Sequence, residues 1–250
     1  MDSNFYRAAE WISRLFLLNI LWVVFTIVGL GIFGFGPATA AMFAIVRKWI
    51  ITPQEDFPLF KTFWENYKSR FIRANILTWM VALMGLVFYY DLRFFQNYEG
   101  ILADILLLGA YGLMLAYYAI VVLIYPVFSH YEATYFQYIK NALFIAIAFP
   151  IRLLMMFLCL IAVFFAFIYF PQLFMFFVGS LSAFALMWIS YGTFEKIEAK
   201  KNAYAQIREG SKKNDGMKNT DEDSTPVVAD KNTKDVNVDT DKIDEESTIE

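Results

Sequence analysis

The histidine and the cysteine of this chain are the first places to look for chemistry, because the sequence has one of each. His130 lies two residues before Glu132, and a histidine–carboxylate pair can relay protons near neutral pH. No third partner stands at a suggestive spacing, so we favour an interfacial anchor, grouped with Tyr131, Tyr135 and Tyr138. Cys159 lies in an apolar run without a neighbouring positive charge to stabilise a thiolate. We therefore predict that it is a packing residue and not a nucleophile.

The other motifs of enzyme or cofactor sites do not fit this sequence. One cysteine and one histidine exclude zinc sites that are rich in either residue. Gly29, Gly31 and Gly34 match G-x-G-x-x-G, but a dinucleotide site needs a strand before that pattern in a soluble βαβ unit. Here the glycines end an apolar run, so we predict close helix packing and a sharp exit from the membrane. No Walker A motif, H-E-x-x-H or nucleophile elbow occurs. We expect no catalytic residue, no metal, no cofactor and no enzyme activity.

The elements that hold these residues are membrane helices, because the composition fits no soluble fold. Of 250 residues, 59% are hydrophobic and 18% are charged; soluble domains have roughly 45–50% and 25%. A span needs about 20 apolar residues to cross roughly 30 Å of hydrocarbon. Five runs meet this need, at 15–33, 74–90, 105–128, 153–170 and 172–191. We predict an all-α, polytopic transmembrane helical bundle of five spans, with one further segment that could re-enter the lipid bilayer.

Lysines and arginines in the loops predict the orientation of the bundle. Fifteen of them lie in the segments 47–73, 140–152 and 192–218, and three lie on the other side. The 47–73 loop and the C-terminus are therefore predicted to face the cytoplasm of a bacterial cell, and five spans leave the N-terminus outside. A second topology stays open, because the apolar run turns at 34–37 and continues as 38–46; if it recrosses, the N-terminus is inside. That stretch covers only about 14 Å at the helical rise, so five spans are favoured.

Residues 1–210 are predicted to form the membrane domain, with a cytoplasmic amphipathic helix at about 58–73. Pro58 suits a first helical turn, and aromatic residues recur on one helical face, at Phe60, Phe63, Trp64, Tyr67 and Phe71. A basic, aromatic helix of this kind lies in the membrane interface, as a structural belt or as a docking surface. Gly210 is predicted to end the last helix. Residues 211–250 hold 12 acidic and 6 basic side chains and are predicted to form a disordered acidic tail.

The segment Gly36-Pro37-Ala38-Thr39-Ala40-Ala41 is the site that we expect to matter most, although it carries no catalytic group. Proline fixes φ and glycine tolerates a positive φ, so we predict a hinge here that ends the first helix and starts another. Thr39 can cap a backbone N–H or bond across helices. Asn19 and Thr26 lie seven residues apart on one face of the first span, where they can bond a neighbouring helix.

Asn19-Ile-Leu-Trp22 followed by this segment resembles the N-terminal hallmark of the YesL family, small bacterial integral-membrane proteins of unknown function. The stretches 60–75 and 141–150 are similar to later parts of that family, so the resemblance covers about residues 5–200. It implies a non-catalytic accessory or scaffold role in carbohydrate uptake or its sensing, with a sugar ABC importer or a sensor kinase as the partner. A small solute transporter or channel, with 34–37 as a re-entrant element, is the alternative. No nucleic-acid partner is expected. The candidate structural or partner-contact residues are Asn19, Trp22, Gly36, Pro37, Thr39, Phe60, Trp64, Tyr67 and Pro150.

Overall fold

Seven α-helices make up the described chain. The computed structural model describes the backbone of residues 3–53 and 56–222, and the side chains of residues 6–53, 56–172 and 176–208. The helices are α1 (Ser3–Val28), α2 (Ile32–Ile51), α3 (Leu59–Phe95), α4 (Ile101–His130), α5 (Tyr135–Ala148), α6 (Pro150–Tyr169) and α7 (Pro171–Glu222). The chain divides into two compact units, 1–200 and 201–250. The predicted all-helical class is confirmed.

Five of these helices are long and apolar enough to cross a membrane. They contain the segments Tyr6–Val28, Leu59–Phe95, Ile101–His130, Pro150–Tyr169 and Phe176–Arg208. Large apolar side chains remain exposed along them, such as Ile27, Ile101 and Ile151 at 69%, 81% and 75%. A soluble protein does not leave so many apolar side chains uncovered, whereas lipid covers them at no cost. The chain is a multi-pass membrane protein.

The first helix ends earlier than the sequence predicted, because the chain reverses at 29–31 and not at 34–37. Leu30 and Gly31 have positive φ values of 61° and 71°, and Gly31 precedes the first residue of α2. Gly29 and Gly34 face each other across the reversal, where a Cβ on either would overlap the other's backbone. The predicted close packing at these glycines is therefore confirmed, and the chain turns sharply there. The predicted hinge at Gly36 and Pro37 is wrong, since both lie inside α2 and Gly36 has no positive φ.

Helix α2 returns alongside α1 for 20 residues and lies at the centre of the bundle. Twelve of its residues are buried, including every residue from Gly36 to Phe43. It packs against α1, α3 and α4. At 1.5 Å per residue it is about 30 Å long, which matches the hydrocarbon thickness. The stretch 38–46, judged too short on its own to recross, is thus part of a full-length returning helix.

The return of α2 brings the start of α1 to the same end of the bundle as the 47–73 segment. The rings of Trp11 and Trp49 lie 5.9 Å apart in an edge-on contact. Arg14 donates to Asp56 Oδ1 at 2.7 Å. The five predicted spans are found, and the start of α1 lies with the end of α2, as in the second of the two topologies that the sequence left open. We call this end the basic end; Arg14, Arg47 and His130 lie there.

Two helices extend beyond their predicted limits. Residues 59–73 do not form a separate amphipathic helix, because α3 runs without a break to Phe95 for 37 residues, or about 55 Å. The backbone hydrogen bonds of α3 continue from the aromatic residues 60–71 into the second predicted span. Helix α7 passes Gly210 and continues to Glu222, so Gly210 does not end it. The rest of the predicted tail, 223–250, lies outside the described residues.

A short helix before α6 was not predicted. Helix α5 has 14 residues, or about 21 Å, too few to cross the hydrocarbon. The N–H of Thr134 donates to Gln137 Oε1 at 2.9 Å, which is half of a capping box. Thr134 and Gln137 stand three residues apart before an apolar run, so the sequence did contain the start signal of this helix.

Candidate functional site

Asn19 fastens the first helix to the last one. Its side chain is fully buried, and Oδ1 accepts hydrogen bonds from the backbone N–H groups of Gly179 and Ser180 in α7, at 3.0 and 3.2 Å. Gly179 allows this approach, because a Cβ there would lie 3.0 Å from Asn19 Oδ1 and 3.1 Å from Trp22 Cε3. The predicted bond from Asn19 to a neighbouring helix is confirmed. Thr26 bonds within its own helix instead, donating to the carbonyl of Trp22.

Trp22 and Thr39 join α1 to α2. The indole Nε1–H of Trp22 donates to Thr39 Oγ1 at 3.0 Å, and Thr39 donates to the carbonyl of Phe35 at 2.7 Å. Thr39 is thus an acceptor across helices, as predicted. Trp22 lies three residues after Asn19 on α1, so the hallmark residues of the sequence form interhelical contacts inside the bundle.

Gly36 allows α2 and α3 to approach each other closely. A Cβ on Gly36 would overlap Thr78 Oγ1 and lie 3.2 Å from the carbonyl oxygen of Ala74. Thr78 Oγ1 itself donates to that carbonyl at 2.6 Å and lies 2.9 Å from the hydroxyl of Tyr125 in α4. Gly36 is therefore required for packing and not for backbone conformation. Pro37 is buried beside it, one and a half turns into α2, and does not end the helix.

The aromatic residues at the start of α3 gather around Phe25 of α1. The ring of Phe25 lies 5.9, 5.6 and 5.1 Å from the rings of Phe60, Trp64 and Tyr67. Tyr67 is buried and donates to the carbonyl of Phe25 at 3.1 Å, so its role is structural. Phe60 and Trp64 remain 63% and 43% exposed. Of the three aromatic candidates, these two have surface that a partner could contact.

Pro150 lies at the first position of α6 and separates it from α5. Proline is well suited to this position, because it lacks the N–H that would have no partner there. Two residues later, Arg152 Nη1 donates to Thr193 Oγ1 of α7 at 2.8 Å. Pro150 itself is exposed and contributes to the helix boundary.

A chain of polar contacts at the basic end was not predicted from the sequence. Arg47 Nε donates to His130 Nδ1 at 3.3 Å, and His130 Nε2 lies 3.0 Å from Glu198 Oε1. Because Nδ1 accepts from a guanidinium, the proton of the neutral ring lies on Nε2 and is donated to Glu198. The His130 ring also stacks on Phe194, with centroids 4.4 Å apart. The carboxylate partner of His130 is thus Glu198, 68 residues along the chain, and not Glu132.

The predicted grouping of His130 with tyrosines is found in part. Tyr131 packs edge-on against the His130 ring at 4.6 Å. Burial raises the pKa of the Tyr131 phenol, and the carboxylate of Glu198 raises it further. The phenol is therefore protonated at neutral pH and can donate a hydrogen bond. Tyr138 packs against Phe128, and its hydroxyl accepts from the backbone N–H of Ala133 at 3.1 Å.

Basic residues from three helices, α2, α3 and α4, lie around this chain of contacts. A pocket of about 100 Å³ lies there between the end of α2, the middle of α3, the end of α4 and the start of α5. Its lining is Arg47, Arg70, Arg73, Phe128, Ser129, His130, Tyr131, Glu132 and Tyr138. The arginines are spread over 27 positions of the sequence, so no local motif marks the pocket. Among the described residues, no group of three His, Cys, Asp or Glu side chains could hold a metal ion.

Comparison with known proteins links the chain to uncharacterized bacterial proteins. The family described as "Protein of unknown function, DUF624" matches residues 15–92. "Uncharacterized protein YteU" of Bacillus subtilis (strain 168) is 36% identical over 196 residues, which cover 77% of this chain and 86% of that protein. "Uncharacterized protein YesL" of the same organism is 30% identical over 189 residues, 75% and 88% of the two chains. "Uncharacterized protein YesV" is 28% identical over 194 residues, 78% and 93%. No solved structure matches the chain.

Proposed function

We propose a function on the premise that this chain belongs to the YesL (DUF624) family of membrane proteins of unknown function. We infer a non-catalytic accessory protein that supports carbohydrate uptake or its sensing by holding a partner in the membrane. The carbohydrate link and the partner class, a sugar ABC importer or a sensor kinase, come from the family resemblance given above. The structure supports the non-catalytic part of this proposal.

One observation carries it: several polar side chains within the bundle join one helix to another by hydrogen bonds. Asn19 bonds α7, Trp22 bonds Thr39 of α2, and Thr78 bonds Tyr125 of α4. A transport path or an intramembrane active site needs polar or charged groups that face a cavity at mid-membrane. The hydrogen bonds of these residues join helices, which is what a rigid scaffold needs.

The alternative, a transporter in its own right, used 34–37 as an irregular re-entrant element. That segment is regular helix within α2, so this hypothesis has lost the observation on which it was based. Solute flux in liposomes nevertheless remains the test that separates the two functions.

We further propose that the basic end faces the cytoplasm. Arg14, Arg47 and Arg152 lie at or near that end, whereas Arg93 lies close to the far end of α3. Cytoplasmic loops carry the excess of lysine and arginine in bacterial membrane proteins. The prediction that the C-terminus is cytoplasmic rests on the lysines after the fifth span and stays a prediction.

Affinity purification of the full chain from its native membrane tests the scaffold proposal. We expect an importer subunit or a sensor kinase to co-purify with the native protein. Phe60→Ala should reduce that recovery, because Phe60 is an exposed aromatic residue beside the bundle's Phe25 cluster. Phe164→Ala is the matched control, since Phe164 in α6 is equally exposed, at 62% against 63%.

The outcomes separate the candidate functions. Recovery of a partner that Phe60→Ala weakens and Phe164→Ala preserves supports the accessory role and this contact surface. Solute flux through liposomes that contain only the purified chain would instead support the transporter. The proposal would be contradicted if no uptake or sensing protein co-purified and Phe60→Ala had no effect on what is recovered.

A further inference from the structure

The pocket at the basic end combines positive charge with little to neutralise it. Arg47, Arg70 and Arg73 line it, and the carboxylate of Glu132 is the acidic group on the same lining. Among the residues that the structure describes, none of these three arginines forms an ion pair. The hydrogen bond from Arg47 goes to a neutral ring nitrogen of His130. The pocket therefore carries a net positive charge.

Arg70 is the least satisfied of the three. Its Nη1 is buried and has no hydrogen-bond partner among the described residues. The guanidinium lies over the ring of Phe128, with its Cζ 5.8 Å from the ring centroid. The π face of that ring attracts a cation, but it contains no oxygen that could accept a hydrogen bond. A buried charged donor without an acceptor is unfavourable, so proteins normally pair such groups. An anion in the pocket would supply the missing acceptor.

Neutral donors complete the lining. Tyr131 keeps its phenol proton, as argued above, and the hydroxyl oxygen of Tyr138 accepts from Ala133 N–H, so its own proton is free to bond elsewhere. Guanidinium groups and hydroxyl donors around a small space match a tetrahedral oxyanion, because several oxygens can each accept at once. A volume of about 100 Å³ admits a single group of this size.

We propose that this pocket binds a phosphate group through Arg47, Arg70 and Arg73. The same chemistry is offered by two sources, free phosphate and the headgroup of an anionic phospholipid in the cytoplasmic leaflet. This site is independent of the partner contact proposed above, which lies around Phe60. The phosphate stabilises the junction of α2, α3, α4 and α5 by pairing charges that the protein leaves unpaired.

The test measures phosphate and lipid binding to the purified full chain. In the first arm, the melting temperature in detergent is followed as inorganic phosphate replaces chloride at constant ionic strength. In the second arm, the chain is reconstituted with phosphatidylcholine alone or with added phosphatidylglycerol, and retained lipid is counted by mass spectrometry. Arg70→Gln removes the half-buried charge, and Lys68→Gln removes an exposed charge two residues away on the same helix.

We expect Arg70→Gln to weaken phosphate or phosphatidylglycerol binding by about tenfold or more, since a charge-assisted pair is lost. Without ligand, this variant should melt no lower than the native chain, because a partly buried charge whose Nη1 has no acceptor has been removed. Arg73→Gln, at an exposed position on the same helix, is a second variant that should lose part of the affinity even if Arg70→Gln folds poorly.

Each outcome has a meaning. An Arg70-dependent effect of inorganic phosphate supports a free-phosphate ligand, and an Arg70-dependent retention of phosphatidylglycerol supports a lipid headgroup. Loss of binding in Lys68→Gln equal to that in Arg70→Gln would show surface attraction only and would overturn the proposal. Equal binding of both probes to native protein, Arg70→Gln and Arg73→Gln would overturn it as well.

Discussion

Gly36→Ala should destabilise the bundle although alanine is the better helix former. The added Cβ would overlap Thr78 Oγ1 and lie 3.2 Å from the carbonyl oxygen of Ala74. Thr78 cannot simply turn away, because its hydroxyl bonds both that carbonyl and Tyr125. Helices α2 and α3 must therefore separate, or the bond to Tyr125 must break.

The magnitude follows from three contributions. Replacing glycine by alanine inside a helix gains about 1 kcal/mol from backbone entropy. Overpacking in a tight contact costs about 1–3 kcal/mol. Loss of the bond between Thr78 and Tyr125 costs about 1 kcal/mol more. The net effect is a loss of about 1–3 kcal/mol, or roughly 2–12 °C in melting temperature for a domain of this size.

Gly112→Ala is the matched control, because Gly112 lies inside α4 and a Cβ there would meet nothing within 4 Å. The helix-propensity gain is common to both variants, so the difference between them isolates the close contact, about 2–4 kcal/mol. Thermal unfolding in detergent, followed by circular dichroism, measures both. In a Thr78→Ala background, the cost of Gly36→Ala should fall, since the overlapping oxygen is gone. Equal stability of the two alanine variants would refute the packing role of Gly36.

Three further predictions follow from the same helix contacts. Asn19→Leu should lower stability by about 1–2 kcal/mol in thermal unfolding, because a fully buried amide oxygen that accepts two backbone N–H groups is lost; an unchanged melting temperature would contradict this. Leu30→Gly should raise stability by about 1 kcal/mol, since the φ of 61° strains leucine and its side chain is 83% exposed; a lower melting temperature would argue against strain. In a chain without its native cysteine, Glu10→Cys and Asp56→Cys should react with an impermeant reagent from the same side of the membrane, and Gly100→Cys should react from the other side. If Glu10→Cys and Gly100→Cys reacted from the same side, the return of α2 would be refuted.

The membrane class and most of the helices could be predicted from the sequence, because the hydrophobic effect depends on composition and run length. The predicted spans at 105–128, 153–170 and 172–191 fall within one to four residues of the starts of α4, α6 and α7. Their boundaries are marked by residues with local effects, such as Pro150 and Pro171, which start helices wherever they occur in apolar runs. The closely packed glycines at 29–34 were identified for the same local reason.

The errors concern how helices associate. Gly36 and Pro37 are typical of a helix break, yet the chain turns at Leu30 and Gly31. The turn forms there because Gly29 and Gly34 allow the backbones of α1 and α2 to approach closely. Burial of α2 among three neighbours then keeps Pro37 within a helix, since packing outweighs one missing backbone bond. No window of sequence contains these neighbours, so local propensity favoured the wrong turn.

The sequence alone determined that this protein is a helical membrane bundle and that it resembles the YesL family. It also identified the hallmark residues, which lie in the first two helices. Those conclusions rest on composition, periodicity and short motifs, all of which are local. Only the tertiary structure decided that the start of α1 lies with the end of α2, that His130 pairs with Glu198, and that Arg47, Arg70 and Arg73 share a pocket. Contacts between distant residues depend on which helix faces meet, and that choice is made by the packing of the whole bundle.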